Sequence, residues 1–433
     1  MINLIAIIET YNIMKKSTGT FLLITAMTIS TIGCAQEKFK KLNYSAYTIQ
    51  PDTTMVQEEV CAILTKKNEL VVAWVDRKIG TDEKFISYTS TYENKKKWHP
   101  ITTYNPNEYL WTGNPALAED ESGNIYLIAM SNNYDGKNLP TNGVFELSRT
   151  NDGGKTWSEW KKIVQNTEDF QNMADKPSLI AKGNGELYLS YINFNSNKDN
   201  ILESKGDVIF MKSKDKGENW SDKLKIDNKR NWKPSSMEEV MVSGGVDFGE
   251  QGPSLSFFKG KLLLSYGSYQ KNGIWLATSS DDGSTFSVNK ISDLKINTPV
   301  TKLYTNNSNL IVVVAYEAHD IGNTYYLQSN DAGKTFSTVQ ISKNGSIATG
   351  TIEKGKDLIF MWNEKTEDNV DTKYMTVKDA KVIVKSFFSE KKMNPSFFIG
   401  AYQDLLIDKN NLAHAFWIDW SKKGGRLIYS QLK

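Results

Sequence analysis

The sequence predicts an all-β chain built as a ring of small antiparallel units, and three observations carry that reading. No stretch shows the 3.6-residue period of an amphipathic helix. One turn motif, rich in Asp and Gly and ending on an aromatic, occurs four times. Short apolar strands ending in a large side chain recur, from "NELVVAW" (68–74) to "NLAHAFW" (411–417), at spacings of 56, 61, 75, 50, 46 and 55 residues. A unit of that length holds about four strands, the size of one propeller blade. The predicted fold class is therefore a seven-bladed β-propeller.

Composition sets the outer bounds. A chain of 433 residues fits two or three domains by length, yet all-β rings run this long as one. Apolar residues make up 39%, enough for a large core, and aromatics 11%, with 20 Tyr and 11 Trp. That balance suits strands and sugar-stacking surfaces. A formal net charge of +2 gives no electrostatic footprint for nucleic acid. The positive charge is almost all lysine, since Arg77, Arg149, Arg230 and Arg426 are the four arginines. Cys34 and Cys61 have no spacing that suggests zinc or a disulfide framework. His99, His319 and His414 are too scattered for a histidine metal site. No cofactor is expected, with calcium left open by the carboxylate-rich loops described below.

Residues 1–34 read as a targeting leader. "MKKSTGTFLLITAMTISTIGCAQ" starts at Met14, with Lys15 and Lys16 ahead of the apolar run 21–32. "TIGC" resembles a bacterial lipobox, which makes Cys34 the expected lipidation site, with cleavage after Ala35 as the alternative. The run is too short to span a bilayer. Residues 35–433 are expected to form a single exported domain and a monomer. It would be an outer-membrane or cell-surface lipoprotein touching membrane through its lipid alone, or otherwise periplasmic or secreted.

The turn motif reads "TNDGGKTW" (150–157), "SKDKGENW" (213–220), "SSDDGSTF" (279–286) and "SNDAGKTF" (329–336). Asp and Gly make a tight turn: the carboxylate accepts N–H bonds across it and Gly takes the positive φ. The aromatic folds under the turn into the sheet. The motif is thus a clasp between two strands, and no catalytic role is assigned to its Asp. Another short strand precedes most of the recurrent ones, as in "NPALAED", "KPSLIAKG" and "GPSLSFFKG". The carboxy-terminal "GRLIYSQL" (425–432) reads as the third strand of the last unit. "KLNYSAYTI" (41–49), ahead of the first unit, supplies its fourth, an N-terminal strand closing the last blade. Such closure removes an exposed sheet edge.

Aspartate boxes of this form, on four-stranded units with a closing terminal strand, resemble the sialidase/BNR-repeat superfamily of β-propellers across nearly all of the mature chain. The superfamily includes sialidases, other glycosidases, polysaccharide lyases and binding proteins, so the resemblance implies a fold and leaves the activity open. Two features depart from a true sialidase. Those enzymes have six blades, which stands as the alternative count. They also carry a Phe-Arg-Ile-Pro-like stretch near the first blade, where this chain reads "QEEVCAIL" (57–64).

In such a ring the boxes, between third and fourth strands, lie on one face. The loops from second to third strand, and from fourth to the next first strand, lie on the other and meet at the axis, where a pocket is expected. Here they include "WVDRKIG" (74–80), "SNNYDG" (131–136), "YGSYQ" (266–270), "YEAHD" (316–320) and "WIDWSKKGGR" (417–426). Before first strands stand "QEE" (57–59), "TGNP" (112–115), "ADKP" (174–177), "GEQGP" (249–253) and "GAYQD" (400–404). Rings suit the C–H faces of sugars and polar groups their hydroxyls, so the composition fits a glycan or polysaccharide partner. The longest irregular stretch, 231–253, adds Glu238, Glu239, Asp247 and Glu250.

Arg77, Arg230 and Arg426 fall on or near these loops, and the resemblance implies a three-arginine clamp for a substrate carboxylate. Asn114, Lys176, Gln251, Tyr269, Trp417 and Asp419 complete the expected substrate contacts. The candidate catalytic groups are Asp76, Asp175 and Glu317, with Tyr402 as a nucleophile. His319, between Glu317 and Asp320, is the candidate base of an eliminating enzyme. Asp135, Glu250 and Asp404 are further carboxylates on the same loops, whereas Cys61, His99 and His414 read as structural. The leading expectation is an exported sialidase-like glycoside hydrolase acting on an acidic sugar. The alternatives are a lyase on uronate polysaccharide, which would release ultraviolet-absorbing products, and a non-catalytic glycan-binding propeller.

Overall fold

Every regular element among the described residues is a strand. The structure is a computed structural model. It describes residues 40–41, 45–50, 54–81, 83–134, 140–165, 172–195, 205–226, 250–268, 273–294, 296, 299–306, 308–317, 322–352, 357–365, 370–378, 381–386, 402–419 and 425–432. All of them belong to the unit Cys34–Lys433.

Two short strands come first, Lys40–Lys41 (β1) and Ser45–Thr48 (β2). An antiparallel meander follows, Met55–Leu64 (β3), Leu70–Lys78 (β4) and Lys84–Tyr92 (β5), with Lys97–Trp98 (β6) and Thr102–Tyr104 (β7) both on β5. The next is Trp111–Glu119 (β8), Ile125–Tyr134 (β9), Pro140–Thr150 (β10) and Lys161–Gln165 (β11). Asn172–Lys182 (β12), Glu186–Asn195 (β13), Lys205–Ser213 (β14) and Leu224–Lys225 (β15) form a separate sheet. So do Glu250–Phe258 (β16), Lys261–Ser268 (β17), Gly273–Ser279 (β18) and Ser287–Ser292 (β19). Pro299–Thr305 (β20), Ile311–Glu317 (β21), Gly322–Ser329 (β22) and Ser337–Ile352 (β23) continue the pattern. The long β23 serves two meanders, pairing back to β22 and onward to Leu358–Lys365 (β24), Val370–Lys378 (β25) and Lys381–Ser386 (β26). Asp404–Ile407 (β27), Ala413–Asp419 (β28) and Arg426–Leu432 (β29) end the chain.

The last sheet takes its outer strand from the front of the chain. β2 pairs antiparallel with β29, Ser45 opposite Gln431 and Thr48 opposite Ile428. The first strands of the meanders touch in cyclic order, β3 with β8, then β12, β16, β20, β23, β27 and β3 again.

Continuous apolar runs such as Leu70–Val75 arise because each sheet is covered on both faces. Leu70, Val72 and Trp74 enter one buried cluster, and Val71, Ala73 and Val75 enter another. The strand-end aromatics Trp74, Tyr191, Tyr266, Tyr316 and Trp362 are buried in the same way.

The boxes join third to fourth strands, and their carboxylates are held by the turn itself. Asp152 Oδ1 accepts the backbone N–H groups of Lys155 and Thr156, both at 3.0 Å, and Oδ2 accepts the Thr156 hydroxyl at 2.6 Å. In the second box the N–H and side-chain amide of Asn219 hold the Asp215 carboxyl down at about 2. The aromatic at the end of the box meets the preceding sheet: Trp157 packs edge-on against Tyr88 at 5.1 Å, and Phe286 against Phe210 at 5.1 Å. A box glycine is required for two reasons. Gly283 has φ +79°, and a Cβ there would lie 2.5 Å from the Phe210 ring.

Candidate functional site

Five of the first strands shift register near where their pairing starts, β23 between Ser346 and Thr349 among them, and four share a left-handed kink. The register of β3 shifts between Glu58 and Cys61, of β8 between Gly113 and Ala116, of β12 between Asp175 and Ser178, and of β16 between Gln251 and Ser254. Each bulge turns on one left-handed residue: Glu59 (φ 51°), Asn114 (φ 47°), Lys176 (φ 50°) and Gly252 (φ 49°). Non-glycine residues in that region are strained, and such strain concentrates at functional sites. Because successive first strands touch, the bulges bring polar side chains from different sheets together.

The resulting cluster is dense. Glu58 accepts from Arg77 Nε at 3.0 Å and Lys84 Nζ at 2.8 Å. Glu59 accepts the Asn114 backbone N–H at 2.7 Å. Gly113 makes room for it, since a Cβ there would lie 2.8 Å from Glu59 Oε2. Asn114 reaches the other way, donating from Nδ2 to Asp175 Oδ1 at 2.7 Å. Asp175 also accepts the Lys176 backbone N–H at 2.7 Å and pairs with its ammonium at 3.3 Å. Asn114 therefore stands between two buried carboxyl groups, Glu59 and Asp175, each 7% exposed.

Burial pushes the Glu59 carboxyl up to about 7, against the opposing pull of Lys84 and the Asn114 N–H. An acid with that affinity both holds and releases a proton near neutral pH, which suits general acid–base work. Burial works against the charge of Lys84, but the neighbouring Glu59 and Glu58 raise its proton affinity overall. Lys84 also lies over the Trp111 ring at 5.5 Å, and Lys176 over Phe194 at 5.7 Å. Deeper along the first strands lie Cys61, Lys302, Tyr304 and Asp404, with the buried Tyr316 beside them. Burial pushes the Tyr316 phenol up to about 12 and the Cys61 thiol likewise to about 12, so both are protonated at neutral pH. Among the described residues, no group of three or more His, Cys, Asp or Glu side chains is arranged to hold a metal ion.

Several residues singled out from sequence are thus brought together: Asp175, Lys176 and Asn114 directly, and Arg77 through Glu58. Others lie elsewhere. Asp76 is fully buried within its sheet and accepts the Ser87 hydroxyl at 2.5 Å. Arg426 is buried and donates to the backbone carbonyls of Met55 and Gly425. Trp417 packs into a core cluster with Ile359, Met361 and Tyr374. Asp419 pairs opposite Arg426 at the end of β28, half-buried, and Tyr402 lies half-buried just ahead of β27. Gln251 lies at the start of β16 and Glu317 ends β21, and their side chains lie outside the described residues. So do Cys34, Asp135, Arg230, Tyr269, His319 and the stretch 231–249. His414 is fully buried against the Tyr429 hydroxyl at 2.7 Å, and His99 stacks on Tyr92.

Glu58, Glu59, Lys84 and Lys302 escaped the sequence reading as individual candidates. The available signal was the alignment of strand starts, in which Glu59-Val60 falls level with Asn114-Pro115, Lys176-Pro177 and Gly252-Pro253.

The profile of the BNR repeat-like domain family matches residues 144–392, more than half of the chain. No curated protein matches the sequence. Among solved structures, the chain is similar to a protein of unknown function from Dyadobacter fermentans (12% identity, TM-score 0.54), covering 79% of this chain and 98% of that one. It is also similar to a Hadza microbial sialidase (15% identity, TM-score 0.51), covering 76% of this chain and 66% of that one. A leech intramolecular trans-sialidase, solved with 2,7-anhydro-Neu5Ac, shares 13% identity at TM-score 0.50, over 92% of this chain and 70% of that one. At such identities the likeness establishes a sialidase-type fold.

Proposed function

Because the chain belongs to the BNR repeat-like domain family, within the sialidase/BNR-repeat superfamily, we propose that it is an exported, sialidase-like glycoside hydrolase acting on an acidic sugar of a glycan or polysaccharide. The observation that carries this reading is Glu59, a buried carboxylic acid poised at about 7, tied through Asn114 to the second carboxyl group of Asp175. Most glycoside hydrolases, though not the tyrosine-dependent sialidases, pair a proton donor with a second carboxylate across the scissile bond. Glu59 protonates the leaving oxygen as the glycosidic bond breaks, Asp175, fixed by Asn114 and Lys176, meets the positive charge that develops at the anomeric carbon, and water adds to that carbon with its proton returning to Glu59. Arg77, Lys84 and Lys176 outnumber their carboxylate partners Glu58 and Asp175, so with Glu59 protonated the cluster keeps a positive excess for an anionic sugar. The sialidases among the similar folds act in the same direction.

We further read the ring as seven-bladed, a reading supported by the cyclic order β3, β8, β12, β16, β20, β23 and β27. Export and lipidation at Cys34 belong to the same proposal and rest on Lys15, Lys16 and the apolar run before "TIGC".

The test uses residues 35–433 as a soluble protein with sialylated and uronate-bearing oligosaccharides. Release of a terminal acidic sugar is expected, with E59Q and D175N each lowering kcat by roughly 10²- to 10⁴-fold while substrate still binds. Products carrying an unsaturated-uronate chromophore would convert the reading to a lyase. Binding with no turnover of either substrate class would overturn the enzyme.

A further inference from the structure

The first strands are fastened to one another by one repeated hydrogen bond. Ser178 Oγ on β12 accepts the backbone N–H of Leu255 on β16 at 3.0 Å. Ser254 Oγ, the residue before Leu255, accepts the N–H of Leu303 on β20 at 2.9 Å. Asp404 Oδ2 on β27 accepts the N–H of Ala62 on β3 at 2.7 Å. In each case the side chain at one level of a strand fastens the next strand one residue further on.

Lys302, the residue before Leu303, occupies this level on β20. An ammonium has no lone pair and cannot accept the N–H of Gly350 on β23. The fastening is made instead by Tyr304, whose hydroxyl accepts Gly350 N–H at 3.1 Å and bonds Thr349 Oγ1 at 2.9 Å. The lysine is therefore relieved of the structural task that its counterparts perform. Its ammonium makes no hydrogen bond or ion pair with any described residue and feels Asp404 only through its charge.

Its charge nevertheless acts across the ring. It is felt by Asp404 of β27 and Cys61 of β3, as well as by Tyr304 and Tyr316. Tyr316 feels Lys176 of the strand-start cluster in addition, so one buried phenol lies within reach of both lysines. Asp404 keeps Lys302 charged although burial opposes it. The Asp404 carboxylate is itself tied to Ala62, which leaves the ammonium as the donor free to take an incoming anion.

We propose that Lys302 is the anion anchor of the substrate, seating the carboxylate of an acidic sugar deeper along the first strands than Glu59 and Asp175. This inference deepens the function proposed above and rests on it for the substrate class. Lys302 thereby sets specificity: a neutral sugar of the same shape leaves a desolvated cation without a partner, which costs more than a missed contact.

Calorimetry on residues 35–433 tests the anchor without requiring turnover. Glucuronate and N-acetylneuraminate are titrated against glucose as the neutral control. Wild type is expected to bind an acidic sugar selectively. K302Q should weaken that binding about 10- to 100-fold and leave glucose unchanged, while K302R retains the acid preference. Should K302Q fail to fold, reductive ¹³C-methylation of wild-type lysines gives a direct readout, with the Lys302 methyl signal moving on addition of acidic sugar and not of glucose. Equal acid affinity in K302Q and wild type, a still Lys302 signal, or no acidic sugar bound at all overturns the anchor. Selective binding through Lys302 with no cleavage of any glycoside sinks the hydrolase reading and leaves the anchor standing.

Discussion

Replacing Glu59 by glutamine turns the proposed acid into a stability experiment as well as a kinetic one. The carboxyl rises from 4.5 to about 7 on folding because burial penalises its charge. Between those values the folded chain keeps a proton that the unfolded chain has released, so stability falls as pH rises through the window. Each tenfold change in proton affinity is worth ~1.4 kcal/mol, and ionised Glu59 therefore costs the folded protein about 3 kcal/mol above neutral pH. Glutamine keeps an oxygen for the Asn114 N–H and does not titrate. Denaturant unfolding of wild type and E59Q at about pH 4 and pH 8 should show the variant gaining about 3 kcal/mol relative to wild type at the higher pH. A stability difference that stays constant across that range would refute the argument, because Glu59 would then not be the desolvated acid. In kinetics, kcat/KM of the wild type should fall on the alkaline side of about 7, where Glu59 loses its proton.

Other substitutions probe the scaffold separately from the chemistry. Gly252 has φ +49° and sits where a Cβ would lie 2.5 Å from Val300 Cα, so Gly252→Ala should cost about 1–3 kcal/mol in chemical unfolding. Asp152→Ala removes the acceptor that organises the first box, and a loss of about 1 kcal/mol, comparable to a lost helix cap, is expected with KM unchanged. Tyr304→Phe leaves Gly350 N–H without its acceptor, and should lower stability by about 1–2 kcal/mol while preserving the acid preference assigned to Lys302.

The strands and boxes were legible because their signals are local. An apolar run such as Leu70–Val75 and an Asp four residues from a Thr or Asn act within one turn or one strand. The closing strand was legible from arithmetic, since the last unit lacked a fourth member and the front of the chain had one to spare. The site was harder. In "QEEVCAIL" alternation places Glu58 and Glu59 on opposite faces, and the left-handed bulge at Glu59 is what turns both toward the cluster. Its counterparts are marked by a following proline, but Glu59 is followed by Val60, which hid the correspondence. Arg426 looked free on a loop, whereas the carbonyls where the last sheet meets β3 claim its guanidinium. Lys302 gave no signal, because a lysine in a strand usually faces water, and its meaning emerges from the serines that occupy the same level elsewhere.

The pairing of β2 with β29 also governs the birth of the molecule. A chain emerging from the ribosome delivers Ser45–Thr48 long before Arg426–Leu432, so the final sheet cannot exist until the later strand has been made. Until then an unpaired edge waits on each flank of the growing arc, inviting contact with other nascent chains. Trimming either tip would leave the circle permanently open, whereas joining the two tips and cutting at a box turn would keep every pairing intact.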